Sequence, residues 1–381
     1  MTAGPLAGVL VVAIEQAVAA PFATRQLADL GARVIKVERP DGDFARGYDR
    51  TVRGMASYFA WLNRSKESLA LDLSTPAGRS ALRKLVQRAD VLVQNLGPGS
   101  VDRLGFGPDA ARALNPRLVY LSISGYGSPG PYQDRKAYDL LVQCEAGLLS
   151  VTGTPETPVK VGISVADIAA GMYAYTGVLS ALLQRARTGR GATLEVSMLE
   201  ALGEWMSQPY LYATYGGTPP PRSGAQHATI APYGPFDCDD GPVFLAIQNE
   251  REWRAFCRMV LDRPDLLDDA RFAGNAARVA HRGDLHAAIA PVLGGLTVAE
   301  ARSRLDGAGI ANAALRDVDG FADHPQLSAR DRWQDVPSSA GPVRMLRPPV
   351  DSDAWDHRVG AIPRLGEHTD AILRELGEDL V

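Results

Sequence analysis

The first third of the chain alternates short β-branched runs with longer amphipathic ones, and that alternation admits few architectures. Residues 8–14 read as a strand, 22–30 as a helix closed by Gly31, and 33–38 as a second strand. The pattern continues through strands at 68–73, 91–94 and 118–124, with Thr75 placed to cap a helix that has Pro76 in its first turn. Strand–helix repeats of this kind predict an α/β fold, a Rossmann-like, doubly wound and largely parallel sheet. A long helix is expected over 165–187, ended by the TGRG run at 188–191. Ile168, Met172, Tyr175, Val178 and Leu182 make it apolar around most of its circumference, the mark of a buried helix.

At 381 residues the chain has room for two or three domains at roughly 150 residues each. The run GGTPPPRSG at 216–224 can continue neither a helix nor a central strand, so it marks a boundary. Beyond it, strand-like runs at 233–237 and 242–248 flank a turn sequence, a hairpin followed by helical segments near 250–262 and 278–290 and a closing helix at 369–376. The predicted division is a large Rossmann-like domain over 1–205 and 345–381, a linker at 206–224, a smaller α+β domain over 225–325 and a return linker at 326–344.

A net charge of -4 with scattered arginines gives no polyanion-binding tail, and no nucleic-acid partner is expected. The apolar stretch at 9–14 lacks a basic lead-in and is closed by Glu15, so it reads as a strand and not a signal peptide; no run is expected to span a membrane. Cys144, Cys238 and Cys257 are odd in number and unpaired in spacing, which points to a cytoplasmic setting, and the six histidines show no metal-ligand spacing. Neither GxGxxG nor a P-loop occurs where a strand passes into a helix, and Gly97-Pro98-Gly99 is too short for a dinucleotide fingerprint.

The sharpest single feature is VGISVADIAAG at 161–171, which sets Asp167 in apolar surroundings at the entry to the long helix. A carboxylate there needs a reason. It can accept helix N–H groups as a cap, or it can stay ionised at the helix N-terminus and serve as a nucleophile toward an activated acyl group. Both readings stand on this segment alone.

The ordered set of segments around it decides more. LGARVIKVER at 30–39, LALDL at 69–73 followed by Thr75-Pro76, VQNLGPG at 93–99, DRLG at 102–105, SGYG at 124–127, TGRG at 188–191 and LGEHTD at 365–370 together resemble the family III CoA-transferases from end to end. The resemblance implies that Asp167 attacks a thioester and passes through aspartyl mixed-anhydride and aspartyl-CoA intermediates. It implies a CoA thioester as substrate with no permanently bound cofactor, small carboxylic acids as partners, and an interlocked homodimer. It also carries CoA contacts onto Ala17, Val18, Arg39, Leu71, Asn95, Leu96, Arg103, Leu104 and Lys136, and substrate positioning onto Tyr138, Glu145 and Arg46. Segments 138–153, 161–184 and 197–205 look closer to enzymes using succinyl-CoA and C5 dicarboxylates such as itaconate or citramalate. A second substrate carboxylate would need a cation, for which Arg46, Arg64 and Arg222 are the candidates. The run AIQNEREW at 246–253 departs from the glycine-rich loop of formyl-CoA transferases, which speaks against a formyl/oxalate pair.

Three rival readings share parts of this pattern. A 2-methylacyl-CoA racemase shares the fold and the CoA site but needs a histidine where this chain has Tyr138. A serine hydrolase would need the last glycine of a nucleophile elbow, where Gly162-Ile163-Ser164-Val165-Ala166 ends in alanine. A non-catalytic acyl-CoA-binding protein would have little reason to keep Asp167.

Overall fold

The computed structural model describes residues 4–377, which fall into two compact units. The large unit combines residues up to 146, 161–207 and 327 onward; the small unit holds 147–160 and 208–326.

Six strands of the large unit, β1 Leu10–Ile14, β2 Arg33–Glu38, β3 Lys66–Ala70, β4 Val91–Gln94, β5 Val119–Ser124 and β6 Thr193–Ser197, form one parallel sheet in the order β3-β2-β1-β4-β5-β6. This is the doubly wound order, whose direction of winding reverses between β1 and β4. Gly31, at φ +99°, turns the chain out of α1 (Ala19–Asp29) toward β2. Helix α1 starts three residues before its expected place because Ala19, Ala20 and Pro21 make its first turn. Conversely, β3 ends at Ala70: Ser74 N–H donates to the Asp72 side chain and Thr75 N–H to its carbonyl, so 71–73 already belong to a turn.

The pleat separates two kinds of side chain. Val12, Ile14, Ile35, Val37, Leu69 and Leu71 point to one face and pack with α3 (Pro76–Arg88) and the closing helix Thr369–Leu376. The alternate positions Glu15, Lys36, Glu38 and Lys66 point to the other face, yet they too are buried. Helix α3 begins as its sequence dictates, with Thr75 Oγ1 accepting the Gly78 N–H at 3.1 Å.

Between the sheet strands lie α2 (Ser57–Leu62), α4 (Ser100–Arg103), α5 (Pro108–Leu114), α6 (Asp139–Glu145) and α7 (Val165–Thr188), followed by α8 (Met198–Trp205). Helix α7 packs on α1 through a close approach at Gly171, where a Cβ would sit 2.8 Å from the Ala19 carbonyl oxygen and 2.9 Å from the Phe22 ring. Its buried face is small: Ala166, Ala169, Ala170, Gly171, Ala174, Val178 and Ala181. Ile168, Met172, Tyr175 and Leu182, expected in the core, are only partly covered, while Ile163, Tyr173 and Leu183 are exposed. By length and composition α7 could also cross a bilayer, a test no run was expected to meet; its alanine face is packed instead against α1, α8 and β5.

The segment expected to be a return linker carries an antiparallel pair, Trp333–Val336 with Val343–Leu346, and belongs to the large unit. The segment 206–224 contains a helix, Ser207–Gly216, and the loop 147–160 joins the small unit through Gly224 N–H bonded to the Gly153 carbonyl. The small unit is α+β: an antiparallel sheet of Tyr233–Cys238, Gly241–Ala246 and Ala311–Ala314, with Phe236, Val243, Leu245, Trp253, Phe256, Leu285, Ile289 and Leu305 in its core. The helix expected to run on to 262 is α-helical over Glu250–Ala255 and continues as a π turn, Phe256–Val260.

Gly171→Ala forces α7 away from α1 and is expected to destabilise the fold by ~1–3 kcal/mol, the cost of overpacking. Urea unfolding of the two proteins measures it, and an unchanged midpoint would show that the two helices do not meet as described.

Candidate active site

Asp167 is the third residue of α7, but its carboxylate is not the helix cap. That task falls to Asp139, the first residue of α6, whose Oδ1 accepts the N–H groups of Ala166 at 2.8 Å and Asp167 at 3.4 Å. Gln143 completes the joint: its Nε2 donates to Asp139 Oδ2 at 2.7 Å and its Oε1 accepts the Val161 N–H at 3.0 Å. Ser164, just before α7, places its hydroxyl 3.0 Å from the Tyr58 hydroxyl.

Relieved of capping, the Asp167 carboxyl meets the backbone N–H of Ala19 at the start of α1, a helix end with no side-chain cap. Burial is the main influence on it, followed by the like charge of Asp139; together they push its pKa up from 3.8 to about 7 despite the Ala19 N–H, which pulls it down. The expectation of a carboxylate held ionised by its own helix is therefore corrected. Near neutrality the group is poised between its two forms, and the ionised form is poorly solvated and strongly nucleophilic.

Aromatic rings line this region. Tyr48 and Tyr58 meet edge to face at 5.9 Å, and Tyr58 continues to Trp61 at 6.3 Å. Burial, then the charges of Asp43 and Asp167, push the Tyr48 phenol up to about 12.

A cavity of about 620 Å³ opens at the carboxyl ends of β1, β2, β3 and β4, where a doubly wound sheet places its ligands. Its walls are residues 14–16, 37–43, 71–74, 96–97, 100 and 104. Gln16 lines it, and three residues later Ala19 faces Asp167, so the loop after β1 borders both.

Of the residues expected to touch CoA, Arg39, Leu71, Leu96 and Leu104 line this cavity. Arg39 is exposed and 3.5 Å from Asp41. Ala17 and Val18 lie in the loop after β1, outside the lining. Asn95 spends its side chain on that loop, accepting the Gln16 N–H and donating to the Gln16 carbonyl, both at 2.9 Å. Arg103 turns back to Ser100 and Pro98, and Lys136 is exposed on the segment before α6.

Tyr138, directly before α6, is 62% exposed and free to meet a substrate. Glu145 is exposed 4.0 Å from Arg135, a surface ion pair. Arg46 is a different matter: its guanidinium grips Glu38 with bonds of 2.8 and 2.7 Å and stacks on Phe59 at 3.7 Å. Arg64 is buried against Asp29 with bonds of 3.0 and 2.8 Å. Neither is available to a second substrate carboxylate. Arg222, in the small unit, donates to the Thr154 and Pro155 carbonyls.

Gln16, Asp43, Tyr48, Tyr58 and Asp139 join the site without having been singled out. The Asp139 signal was visible as an acid opening a short helix next to Tyr138, but its partner lies 27 residues on. Among the described residues, no group of three or more His, Cys, Asp or Glu could hold a metal ion.

The family model of CoA-transferase family III matches residues 6–369. The chain belongs to CoA-transferase family III. The acetyl-CoA:oxalate CoA-transferase of Acetobacter aceti is 36% identical over 98% of this chain and 96% of its own length. The succinate–glutarate CoA-transferase of Agrobacterium fabrum is 33% identical over the same shares. Among solved structures, a CaiB/BaiF family protein from Brucella suis superposes with a TM-score of 0.87 at 34% identity, covering 98% of this chain and all of that one. The protein is thus an enzyme, a CoA-transferase, with the α/β fold of its family.

The raised Asp167 pKa has two consequences. For a carboxyl whose folded pKa lies above its unfolded one, stability is lost as pH rises between the two. Asp167→Asn is therefore expected to be more stable than the wild type at pH 8 by on the order of 2 kcal/mol, with the gap closing toward pH 4. In Asp139→Asn the like charge is gone, so the titration of the Asp167 carboxyl moves to lower pH; a carboxyl NMR titration that left its midpoint in place would refute the coupling.

Proposed function

We propose that this CoA-transferase moves CoA from an acyl-CoA donor, succinyl-CoA foremost, to a small dicarboxylic acid of the C5 class such as itaconate or glutarate, with Asp167 as the covalent nucleophile. The observation that carries the mechanism is the Asp167 carboxyl, with a pKa near 7, set against the uncapped start of α1. The substrate class draws on relatives named for succinate and glutarate and, in Haloarcula, for succinyl-CoA and mesaconate. With Arg46 and Arg64 committed to Glu38 and Asp29, Tyr138 and Tyr58 are the large unit's hydrogen-bonding groups for the acid.

An Asp167 oxygen attacks the thioester carbon; the C–S bond breaks and CoA thiolate leaves, giving a mixed anhydride. The thiolate then attacks the Asp167 carbonyl carbon, expelling the donor acid as its carboxylate and forming an aspartyl-CoA thioester. The acceptor carboxylate attacks that carbon and the thiolate leaves again. Finally the thiolate attacks the acceptor's carbonyl, releasing the new acyl-CoA and the Asp167 carboxylate. Each tetrahedral stage on Asp167 develops negative charge on oxygen, which the Ala19 N–H is placed to meet. No step requires a proton donor, in accord with Tyr138 standing where a racemase has histidine.

Incubation with succinyl-CoA is expected to leave an adduct on Asp167 that hydroxylamine removes and that Asp167→Ala never forms, read by intact mass and peptide mapping. Absence of the adduct together with α-proton exchange of a 2-methylacyl-CoA into deuterated water would replace this mechanism with racemisation.

The open side of α7 (Tyr173, Leu183), Ile163 just before it, and the aromatic helix Ser207–Gly216, with Tyr210, Leu211, Tyr212 and Tyr215 exposed, are the surfaces we assign to a second copy of the chain. Light scattering after size exclusion should give twice the chain mass; a monomer at micromolar concentration would leave those residues without their proposed cover.

A further inference from the structure

Ala17 adopts φ +60°, a left-handed conformation that a side chain disfavours, and it does so in the loop bordering both the cavity and Asp167. Such a conformation persists only where its surroundings over-determine it. The surroundings are specific. Asn95 brackets Gln16 through both of its amide groups, and the Ala17 N–H donates to Asp43 Oδ1 at 3.2 Å. The Asp43 side chain is wholly buried: Oδ1 also accepts the Ala45 N–H at 2.9 Å, and Oδ2 accepts Lys36 Nζ at 2.9 Å. Lys36, equally buried, is 3.5 Å from Glu15 Oε1, and Glu15 is held by Lys66 at 2.7 Å and by the Thr24 hydroxyl at 2.6 Å. Glu38 accepts the Asp43 N–H at 3.1 Å and is neutralised by Arg46. Three carboxylates (Glu15, Glu38, Asp43) thus balance three cations (Lys36, Lys66, Arg46) beneath the loop.

We propose that Asp43 is a positioning residue for the transfer reaction: by holding Ala17 in its left-handed conformation, with Lys36 as counter-charge, it fixes the start of α1 at the distance from Asp167 that the reaction requires. The inference rests on Asp167 as nucleophile. Asp43 touches neither substrate nor nucleophile in this role; it acts through a backbone N–H two residues before Ala19. Because residues 37–43 also wall the cavity, the same carboxylate ties the ligand-binding wall to the loop that faces the nucleophile. Removal of the latch lets residue 17 relax toward φ < 0, swinging the first N–H groups of α1 away, and the loss should appear in the covalent step more than in acyl-CoA binding.

The test uses the full-length enzyme as wild type, Asp43→Ala, Ala17→Gly and the double variant, with two readouts. Rates of Asp167 adduct formation from succinyl-CoA should fall about 10–100-fold in Asp43→Ala, with KM changed less than about threefold. They should recover at least about fivefold when Ala17→Gly is added, because glycine adopts the left-handed region without steric penalty. Hydrogen exchange of the peptide spanning 15–22 should quicken in Asp43→Ala while peptides of β4 and β5 stay protected. A rate loss that Ala17→Gly does not relieve, or a 15–22 segment with unchanged exchange, would overturn the proposal. If Asp43→Ala does not fold, Asp43→Asn, which keeps an acceptor oxygen for Ala17 but removes the charge that pairs with Lys36, is expected to lose part of the covalent rate and to quicken exchange over 15–22, with Ala17→Gly restoring part of the rate; wild-type rate and exchange in Asp43→Asn would overturn the proposal. An absence of adduct in the wild type strikes at Asp167 and the mechanism, while the exchange measurement still decides the role of Asp43.

Discussion

The approach of α7 to α1 at Gly171 is the contact on which the surroundings of Asp167 depend. Helix α7 supplies the carboxylate and α1 the backbone N–H that faces it, so the separation of the two groups is set by the packing of two helices whose contact tolerates no Cβ. Because the partner is a main-chain group at the first position of α1, only proline among substitutions at Ala19 would remove it directly. The geometry is held instead by residues further out: Asp139 and Gln143 on the α7 side, Asp43 and Asn95 on the α1 side.

Both supporting sets are built from charged or amide groups, and on the α1 side Asp43 sits in a buried cluster with Glu15, Lys36, Glu38 and Lys66, a costly choice for a core. Apolar fillings are often as stable as such buried ion pairs or more so. What charges provide, and hydrocarbon does not, is direction: each carboxylate oxygen and ammonium hydrogen here is spoken for by a particular partner. The same logic separates Asp139 from Asp167. Asp139 is satisfied by two backbone N–H groups and an amide, while Asp167, 28 residues away in sequence, is left under-solvated beside it with its pKa raised.

The parallel sheet was legible in the sequence because its apolar runs alternate with amphipathic ones, and β2, β4 and the closing helix fall where the pattern puts them. Strand β3 was misplaced because it opens with Lys66 and Glu67, residues that look like a turn until Glu15, 51 positions earlier, neutralises the lysine. Asp167 was legible as an unusual acid but not in its protonation behaviour, which depends on Asp139 and on burial by neighbours distant in sequence. Arg46 and Arg64 looked available for a substrate because the sequence does not reveal that Glu38 and Asp29 already hold them. The positive φ of Ala17 carries no sequence signal, since alanine there resembles alanine in any helix start.

The large unit draws on three stretches of the polypeptide, and its final pieces come last. Ser68 and Ala70 on the edge strand β3 give their backbone N–H groups to His368 and Thr369, and Arg33 on β2 pairs with Glu375. During synthesis the ribosome has therefore produced every residue of the small unit before the partners of that edge emerge. The unit encoded in the middle can finish first, while the one begun with β1 must wait with an open sheet edge for residues 368–375.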